Sequence, residues 1–277
     1  QLRGQALPGA ADGVHAAWLD LRGKPGDRLA PWHRYTLRAE AEMFGHPALR
    51  AVICNSRMVR DDIARRFGLV PDRLHVIHNG VDLESFHPRL RAEEGRKLRA
   101  KTGVNDATPV MLFVGSGYER KGLPDLLRAL AKMRREDAQL WVVGRDKQET
   151  LMRKLAQTLG VDRRVMFLGA QNDVRPFYGA ADVFALPTIY DPLPNAVLEA
   201  MACGLPVVTT TNCGAAELLD RDSGVVVEAR DITAIAAGLD DLCARAPAMR
   251  DAARSSVSHL DPAGMAAQLV ALYSRLV

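Results

Sequence analysis

Residues 183–209 read VFALPTIYDPLPNAVLEAMACGLPVVT. Val183–Leu186 is an apolar run of the kind buried in a sheet, and Pro187 closes it. Pro192 and Pro194 keep the residues before them out of helical geometry, which leaves Asp191 in a loop. Asn195 can start a helix, Gly204 can end it, and Pro206 prevents its continuation. Residues 206–209 are then a second short strand. Strand, loop, helix, strand is the repeating unit of a parallel α/β sheet. Glu199 sits in the early turns of the helix, and Asp191 hangs over the same end. The unpaired N–H groups there suit a phosphate, and two flanking carboxylates suit the hydroxyls of a sugar or ribose. Read alone, the two acids are equally well a turn residue and a partner of the helix dipole.

The same alternation extends in both directions. Val110–Val114 is a continuous apolar strand, as in a buried parallel sheet. After it come a loop at 115–122, a helix at 123–135, a strand at 140–143 and a helix at 150–159. A strand at 165–168 leads to a helix capped by Asn172 or Asp173 and running to about Ala180. Beyond residue 209 the pattern predicts a helix at 215–219, a strand at 225–227 and helices at 232–243 and 263–276. The fold class is therefore α/β, a doubly wound parallel sheet over residues 109–262.

The front of the chain is less regular. Residues 1–30 show no clean period. Residues 32–44 have helical spacing that puts Tyr35, Leu37, Ala41 and Phe44 on one face, expected to be buried. Strands at 51–54 and 74–77 flank a helix that Asn55-Ser56 can cap and that ends at Phe67. Asn79-Gly80 is a turn signal. Residues 83–108 read as a linker whose charged helix, Arg91 to Lys101, presents a solvated face.

Composition narrows the classes of function. The 277 residues are 48% hydrophobic and 25% charged, as in a globular protein. Aromatics make up 5%, which argues against a nucleic-acid partner bound by base stacking. The net charge of +4 suits an anionic substrate or a membrane surface. Cys54, Cys203, Cys213 and Cys243 form no CxxC pair, so no metal is expected; Cys54 and Cys203 read as core. Thiols without a disulfide pattern and no apolar run of spanning length point to the cytoplasm.

Ligands of such sheets lie at the carboxyl ends of the strands. The loop Gly115-Ser116-Gly117-Tyr118-Glu119-Arg120-Lys121-Gly122 lets a backbone approach an anion, and Arg120 with Lys121 can clamp a diphosphate. Its spacing is neither that of a Walker loop nor that of a dinucleotide fingerprint. Arg145 and Asp173, taken singly, are a solvated charge and a helix cap. His75 and His78 flank a strand end with no evident acid partner, and read as structural or solvated.

Taken as a set, Asn79-Gly80-Val81-Asp82, Phe113-Val114-Gly115, Arg120-Lys121-Gly122, Val142-Val143-Gly144, Ala181-Asp182-Val183 and the paired-acid stretch resemble the family 4 retaining glycosyltransferases of the GT-B fold. The loops at 115–122, 142–147 and 169–174 resemble those of lipopolysaccharide-core glucosyltransferases most. The resemblance implies transfer of a hexose, glucose in that subfamily, from a UDP-sugar or other nucleotide sugar to a glycan or lipopolysaccharide-core acceptor. It implies retention of configuration, a cytoplasmic setting that includes peripheral contact with the inner membrane, and no cofactor. It assigns Arg120 and Lys121 to the diphosphate, Asp191 to the donor sugar and Glu199 to the ribose. The N–H groups of Asn195, Ala196 and Val197 would add phosphate and sugar contacts, and Asn172, Asp173 and Val174 would lie by the base. Gly115, Ser116 and Arg145 complete the expected donor site. The usual first acid of the family is Glu; Asp191 has the shorter arm.

The resemblance divides the chain into a partial acceptor-side domain at 1–82, a linker at 83–108, the donor domain at 109–262 and a final helix at 263–277. The chain opens at Gln1, and the first strands of an acceptor domain are expected to be missing. That keeps a second reading open, a nucleotide-sugar binding module with no activity of its own. A third reading, a sugar-nucleotide epimerase, would need a complete cleft between two domains.

Overall fold

A computed structural model describes residues 13–276. The first twelve residues of the front segment and Val277 of the final helix lie outside the described residues.

The N-terminal unit contains α1 (His15–Arg22), α2 (Pro31–Phe44), β1 (Val52–Cys54), α3 (Arg57–Phe67) and β2 (Leu74–Val76). β1 and β2 pair in parallel, with Val52 opposite Leu74. Val14, Ala17, Phe44, Val59 and Ile63 form its core. Ser56 caps α3 by accepting the N–H of Val59. Two expectations fail here. Residues 13–30, which gave no period, hold α1, because its burial is set by packing between the two units as well as within one. On α2 only Phe44 of the expected face is buried; Tyr35 is 68% exposed and Trp32 67%. Glu40 is buried instead, since its carboxylate accepts the N–H groups of His15 and Ala16, orphan donors at the start of α1.

The second unit is built on one six-stranded sheet. Its elements are α4 (Glu94–Thr102), β3 (Val110–Val114), α5 (Leu123–Leu130), β4 (Gln139–Val143), α6 (Glu149–Thr158), β5 (Val165–Gly169), α7 (Arg175–Ala180), β6 (Val183–Leu186), α8 (Asn195–Ala202), β7 (Val207–Thr210), β8 (Gly224–Val227) and α9 (Ile232–Ser255), and α10 (Pro262–Leu276) follows at the joint between the units. The strand order is β5-β4-β3-β6-β7-β8, and every pair is parallel. The chain winds outward from β3 in one direction, then restarts at β6 and winds in the other. The crevice between the loops after β3 and β6 is thus the switch point at which such sheets bind ligands.

Several boundaries differ from expectation. α5 ends at Leu130, and the expected helix at 215–219 is a 3-10 turn at Gly214–Leu218. α9 runs to Ser255 through Pro247. A stripe of Leu239, Leu242, Ala246, Met249 and Ala253 is buried on both sides of that proline, and its packing outweighs the lost hydrogen bond. The stretch 83–108 holds α4, which packs so closely on α7 that a Cβ on Gly95 would lie 2.3 Å from the Gly179 carbonyl oxygen. Arg99 departs from the expected solvated face. It is 4% exposed, and its guanidinium donates to the carbonyls of Ala180, Asn105 and Thr108 and to Asp182. A short buried helix–helix contact needs a donor for these carbonyls, and Arg99 supplies it.

The chain passes between the units twice, at residues 79–86 and again before α10. The N–H of Val81 donates to the Leu260 carbonyl at 2.7 Å. A Cβ on Gly80 would lie 2.6 Å from Pro262 Cα, so the two crossings touch. Arg254 reaches from α9 to the carbonyls of Leu83 and Phe86. No helix of the described residues is long and apolar enough to cross a membrane.

Candidate functional site

The loop after β3 is held in shape by its glycines. Gly122 has φ +78° and its Cα lies against Pro187; a Cβ there would be 1.9 Å from the Pro187 carbonyl oxygen. Gly115, at φ +146°, leaves room for the Lys121 stem, whose Cδ would be 2.8 Å from a Cβ. Asp146, in the loop after β4, accepts the N–H groups of Gly117 at 2.8 Å and Tyr118 at 3.2 Å. The Tyr118 hydroxyl donates to the Gly144 carbonyl at 3.1 Å. The loop is therefore fixed from both neighbouring strands' ends, and its two cations are aimed.

They are aimed at Asp191. Lys121 Nζ lies 2.8 Å and Arg120 Nη1 3.2 Å from Asp191 Oδ2. The Asp191 side chain is 7% exposed and that of Lys121 12%, so each charge is buried against its opposite. The loop after β6 that carries Asp191 is pinned as well. The Arg120 carbonyl accepts from the Ile189 N–H and the Thr188 hydroxyl, both at 2.8 Å. Asp191 exchanges backbone bonds with the next loop, donating to Asn212 at 3.1 Å and accepting from Gly214 at 2.9 Å. A Cβ on Gly214 would lie 1.6 Å from the Pro192 carbonyl oxygen, so only glycine fits there.

α8 brings the second acid to the same end of the sheet. Glu199 is half-buried, and the Tyr178 hydroxyl stands 2.7 Å from its Oε2. Burial pushes its pKa up, and the Tyr178 hydrogen bond opposes that shift. Burial raises the Tyr178 phenol well above its ordinary range, so the hydroxyl is a donor at neutral pH. At the start of α8 the expected N–H array is reduced by one. The Val197 N–H donates to the Pro194 carbonyl at 3.0 Å, because Pro194 caps the helix with extended geometry and turns its carbonyl inward. The N–H groups of Asn195 and Ala196 have no such bond among the described residues. Asn195 Oδ1 accepts from Asn79 Nδ2 at 2.8 Å, across the joint between the units.

The remaining expected residues stand on neighbouring loops and do not contact Asp191. Ser116 and Arg145 are exposed, and Arg145 has no polar partner among the described residues. Asn172 is exposed. Asp173 pairs with Arg175 at 2.7 Å and accepts its backbone N–H, while Val174 takes the N-cap position. Val174 packs against the core of the sheet.

Sequence reasoning missed four residues. Tyr178 and Asp146 hold Glu199 and the glycine loop. Tyr190 extends from the Asp191 loop into the N-terminal unit. Glu217, near β7, receives His78 Nε2 at 2.6 Å and the Arg57 N–H at 2.8 Å, which gives His78 the acid partner its sequence context did not show. Only Asp146 carried a local signal, its place after Gly144 at a strand end. Among the described residues, no three or more His, Cys, Asp or Glu side chains are grouped to hold a metal ion.

Comparison with known proteins identifies the family. A family described as glycosyl transferases group 1 matches residues 108–245, and glycosyltransferase family 4 matches residues 11–85. The chain is 33% identical over 193 residues to the uncharacterized glycosyltransferase MJ1607 of Methanocaldococcus jannaschii, covering 68% of this chain and 50% of that protein. It is 36% identical over 147 residues to LpsE of Rhizobium meliloti, a lipopolysaccharide core biosynthesis glycosyltransferase, covering 53% and 43%. The lipopolysaccharide glucosyltransferase WaaG of Escherichia coli is 31% identical over 170 residues, covering 60% and 45%. A crystal structure of WaaG superposes with a TM-score of 0.79 at 25% identity, over 91% of this chain and 69% of that one. The chain spans about half the length of the curated relatives it matches. By both family matches, by these relatives and by its strand order, the chain belongs to the family 4 glycosyltransferases of the GT-B fold.

Proposed function

We propose that this chain carries the donor site of a retaining glycosyltransferase that moves a hexose, glucose in the first instance, from a UDP-sugar to a glycan or lipopolysaccharide-core acceptor. The observation that carries the proposal is the convergence of Arg120 and Lys121 on Asp191 at the switch point of the sheet. Breaking the bond between sugar C1 and the diphosphate oxygen sends the electron pair to the diphosphate and leaves an oxocarbenium-like sugar. Two fixed cations are placed to stabilise that departing charge, an arrangement that costs no reorganisation when the bond breaks. The acceptor hydroxyl then bonds to C1 and passes its proton to an oxygen of the departing diphosphate. Asp191 holds donor-sugar hydroxyls and Glu199 the ribose, with the N–H groups of Asn195 and Ala196 on the phosphates. Gly115 and Ser116 border the diphosphate, Arg145 adds positive charge, and Asn172, Asp173 and Val174 border the base. The proposal includes no metal or cofactor. The UDP-glucose assignment and retention follow the lipopolysaccharide-core relatives.

The same proposal includes a cytoplasmic setting and peripheral contact with an anionic membrane. Its support is the solvent face of α2 and the turn before it. Leu29 is 77% exposed there, and Trp32 and Tyr35 stand beside it with ring centroids 6.2 Å apart. Arg28, Arg34 and Arg38 are close to them in sequence, and Arg28 and Arg38 pair with Asp20 and Glu42. Exposed aromatics among cations fit the headgroup region of a bilayer.

The deciding experiment incubates the chain with radiolabelled UDP-glucose and lipopolysaccharide-core acceptor. Label appearing in the acceptor supports transfer. Tight donor binding with no labelled acceptor favours the second reading, a binding module; no binding of any nucleotide sugar overturns both.

A further inference from the structure

Tyr190 and Asp191 are consecutive, yet they belong to different units. Asp191 faces the cations of the donor loop. Tyr190 turns the other way, is 2% exposed, and is a member of the core of the N-terminal unit. Its hydroxyl accepts the N–H of Val14 at 2.9 Å and lies 3.5 Å from Asp62 Oδ2. Both partners are themselves fastened. Val14 immediately precedes α1, whose first N–H groups are held by Glu40. Asp62 on α3 is paired with Arg65 and lies 3.9 Å from Arg66. Room for the ring is made by Gly13, at φ +79°, where a Cβ would be 2.7 Å from Tyr190 Cε1 and 2.5 Å from Pro192 Cγ. The Tyr190 backbone is engaged too, since its carbonyl accepts from Arg120 Nη1 at 3.1 Å. One residue thus bonds the N-terminal unit through its side chain and the donor loop through its backbone.

We infer that Tyr190 is a positioning residue for Asp191, and that the sugar side of the donor site is therefore set by the contact between the two units. The inference rests on the proposed donor site. A peptide unit fixed at Tyr190 limits how Asp191 can turn, and in the arrangement it takes its carboxylate reaches Lys121 and Arg120. The diphosphate side does not depend on the Tyr190 hydroxyl, since Arg120 meets only the Tyr190 backbone carbonyl. The Lys121 backbone is held by the glycine loop and Glu199 by α8 and Tyr178, within the sheet unit, while Glu119 of that loop pairs with Arg22 and Lys24 of the N-terminal unit whatever residue stands at 190.

The test is titration calorimetry with UDP and with UDP-glucose on the full chain. In the native protein the ratio of the two dissociation constants measures what the sugar adds. Tyr190→Phe keeps the buried ring and removes the hydroxyl. It is expected to leave the UDP constant within about twofold and to weaken UDP-glucose about fivefold, the effect of one net hydrogen bond. Phe44→Leu thins the same core without touching the Tyr190 hydroxyl. It is expected to lower the melting temperature and leave the ratio unchanged. An unchanged ratio in a folded Tyr190→Phe protein overturns the inference and leaves the donor site standing. A ratio that falls equally in Phe44→Leu also overturns it, since Tyr190 is then only packing. Failure of the native protein to bind UDP or UDP-glucose removes the donor site and the inference with it.

Discussion

Lys121 Nζ stands 2.8 Å from Asp191 Oδ2, so the acid expected to meet a sugar neutralises a cation expected to meet a diphosphate. The two cations exceed the one carboxylate by a single positive charge, and an arriving diphosphate competes with Asp191 for both of them. Buried charges tolerate that exchange because the incoming group is itself anionic.

Removing the cations tests the diphosphate side. Lys121→Ala is expected to weaken UDP binding by about 1.5–3 kcal/mol, the range for a charge-assisted hydrogen bond. Arg120→Ala has a smaller effect, because its side chain is 35% exposed and water screens its charge. Calorimetric titration of the folded double variant reads both. An affinity equal to that of the native chain would make them ordinary surface cations.

The two acids divide the donor between them. Asp191→Asn frees the cations and is expected to hold or improve UDP affinity while weakening UDP-glucose. Glu199→Gln is expected to weaken UDP and UDP-glucose alike, because ribose is common to both. Equal losses for both ligands in Asp191→Asn would contradict the division.

Glu199 also predicts a pH dependence of stability. Its folded pKa is raised by burial, so the folded state binds its proton more tightly than the unfolded state does. Stability from this group is present below the unfolded pKa and declines as pH rises through the folded one. Glu199→Gln has no such decline. The melting temperature of the variant relative to the native chain should therefore increase from pH 4 toward neutrality and then level off. A difference that is flat or falls with pH would show that the Tyr178 bond outweighs desolvation.

Gly122→Ala places a Cβ 1.9 Å from the Pro187 carbonyl oxygen at φ +78°. Backbone strain and the clash together are expected to cost about 2–4 kcal/mol. The denaturant midpoint should fall accordingly, and UDP affinity should fall with it because the cation loop shifts. A variant with native stability would mean that the loop is free to move away from Pro187.

Replacing Trp32 and Tyr35 by Ala touches the exposed face of α2 and leaves the buried Phe44 in place. Co-sedimentation with vesicles containing anionic lipid should drop several-fold, and the residual binding should disappear at high salt as screening removes the arginine contribution. Binding that is unchanged by the double substitution would assign this face to something other than a bilayer.

The sheet was readable because each buried strand is a short apolar run bounded by glycine, proline or a charged turn. The rule that ligands sit at carboxyl strand ends singles out the loops that hold Arg120, Lys121 and Asp191, and Glu199 is read from its place in the early turns of the helix that follows. What stayed hidden depends on long-range pairing. Glu40 is an acid on an otherwise exposed helix, and its partners are N–H groups of α1, which shows no period. His78 and Glu217 meet across 139 residues. Arg99 sits in a run of exposed charges and differs from them only by the carbonyls that surround it. The expected helix stops at Cys243, short of Pro247, but the apolar stripe that continues past that proline decides the length of α9.

The two crossings between the units, bound at Val81 and Leu260 and in contact at Gly80 and Pro262, act as an axle. A single connecting strand would let the units swivel, twist or separate in any direction. Two strands fastened side by side leave rotation about one line as the least costly movement. Tyr190 and the His78–Glu217 pair add bonds between the two units beside those of the crossings, so a swing of one unit away from the other would have to break them.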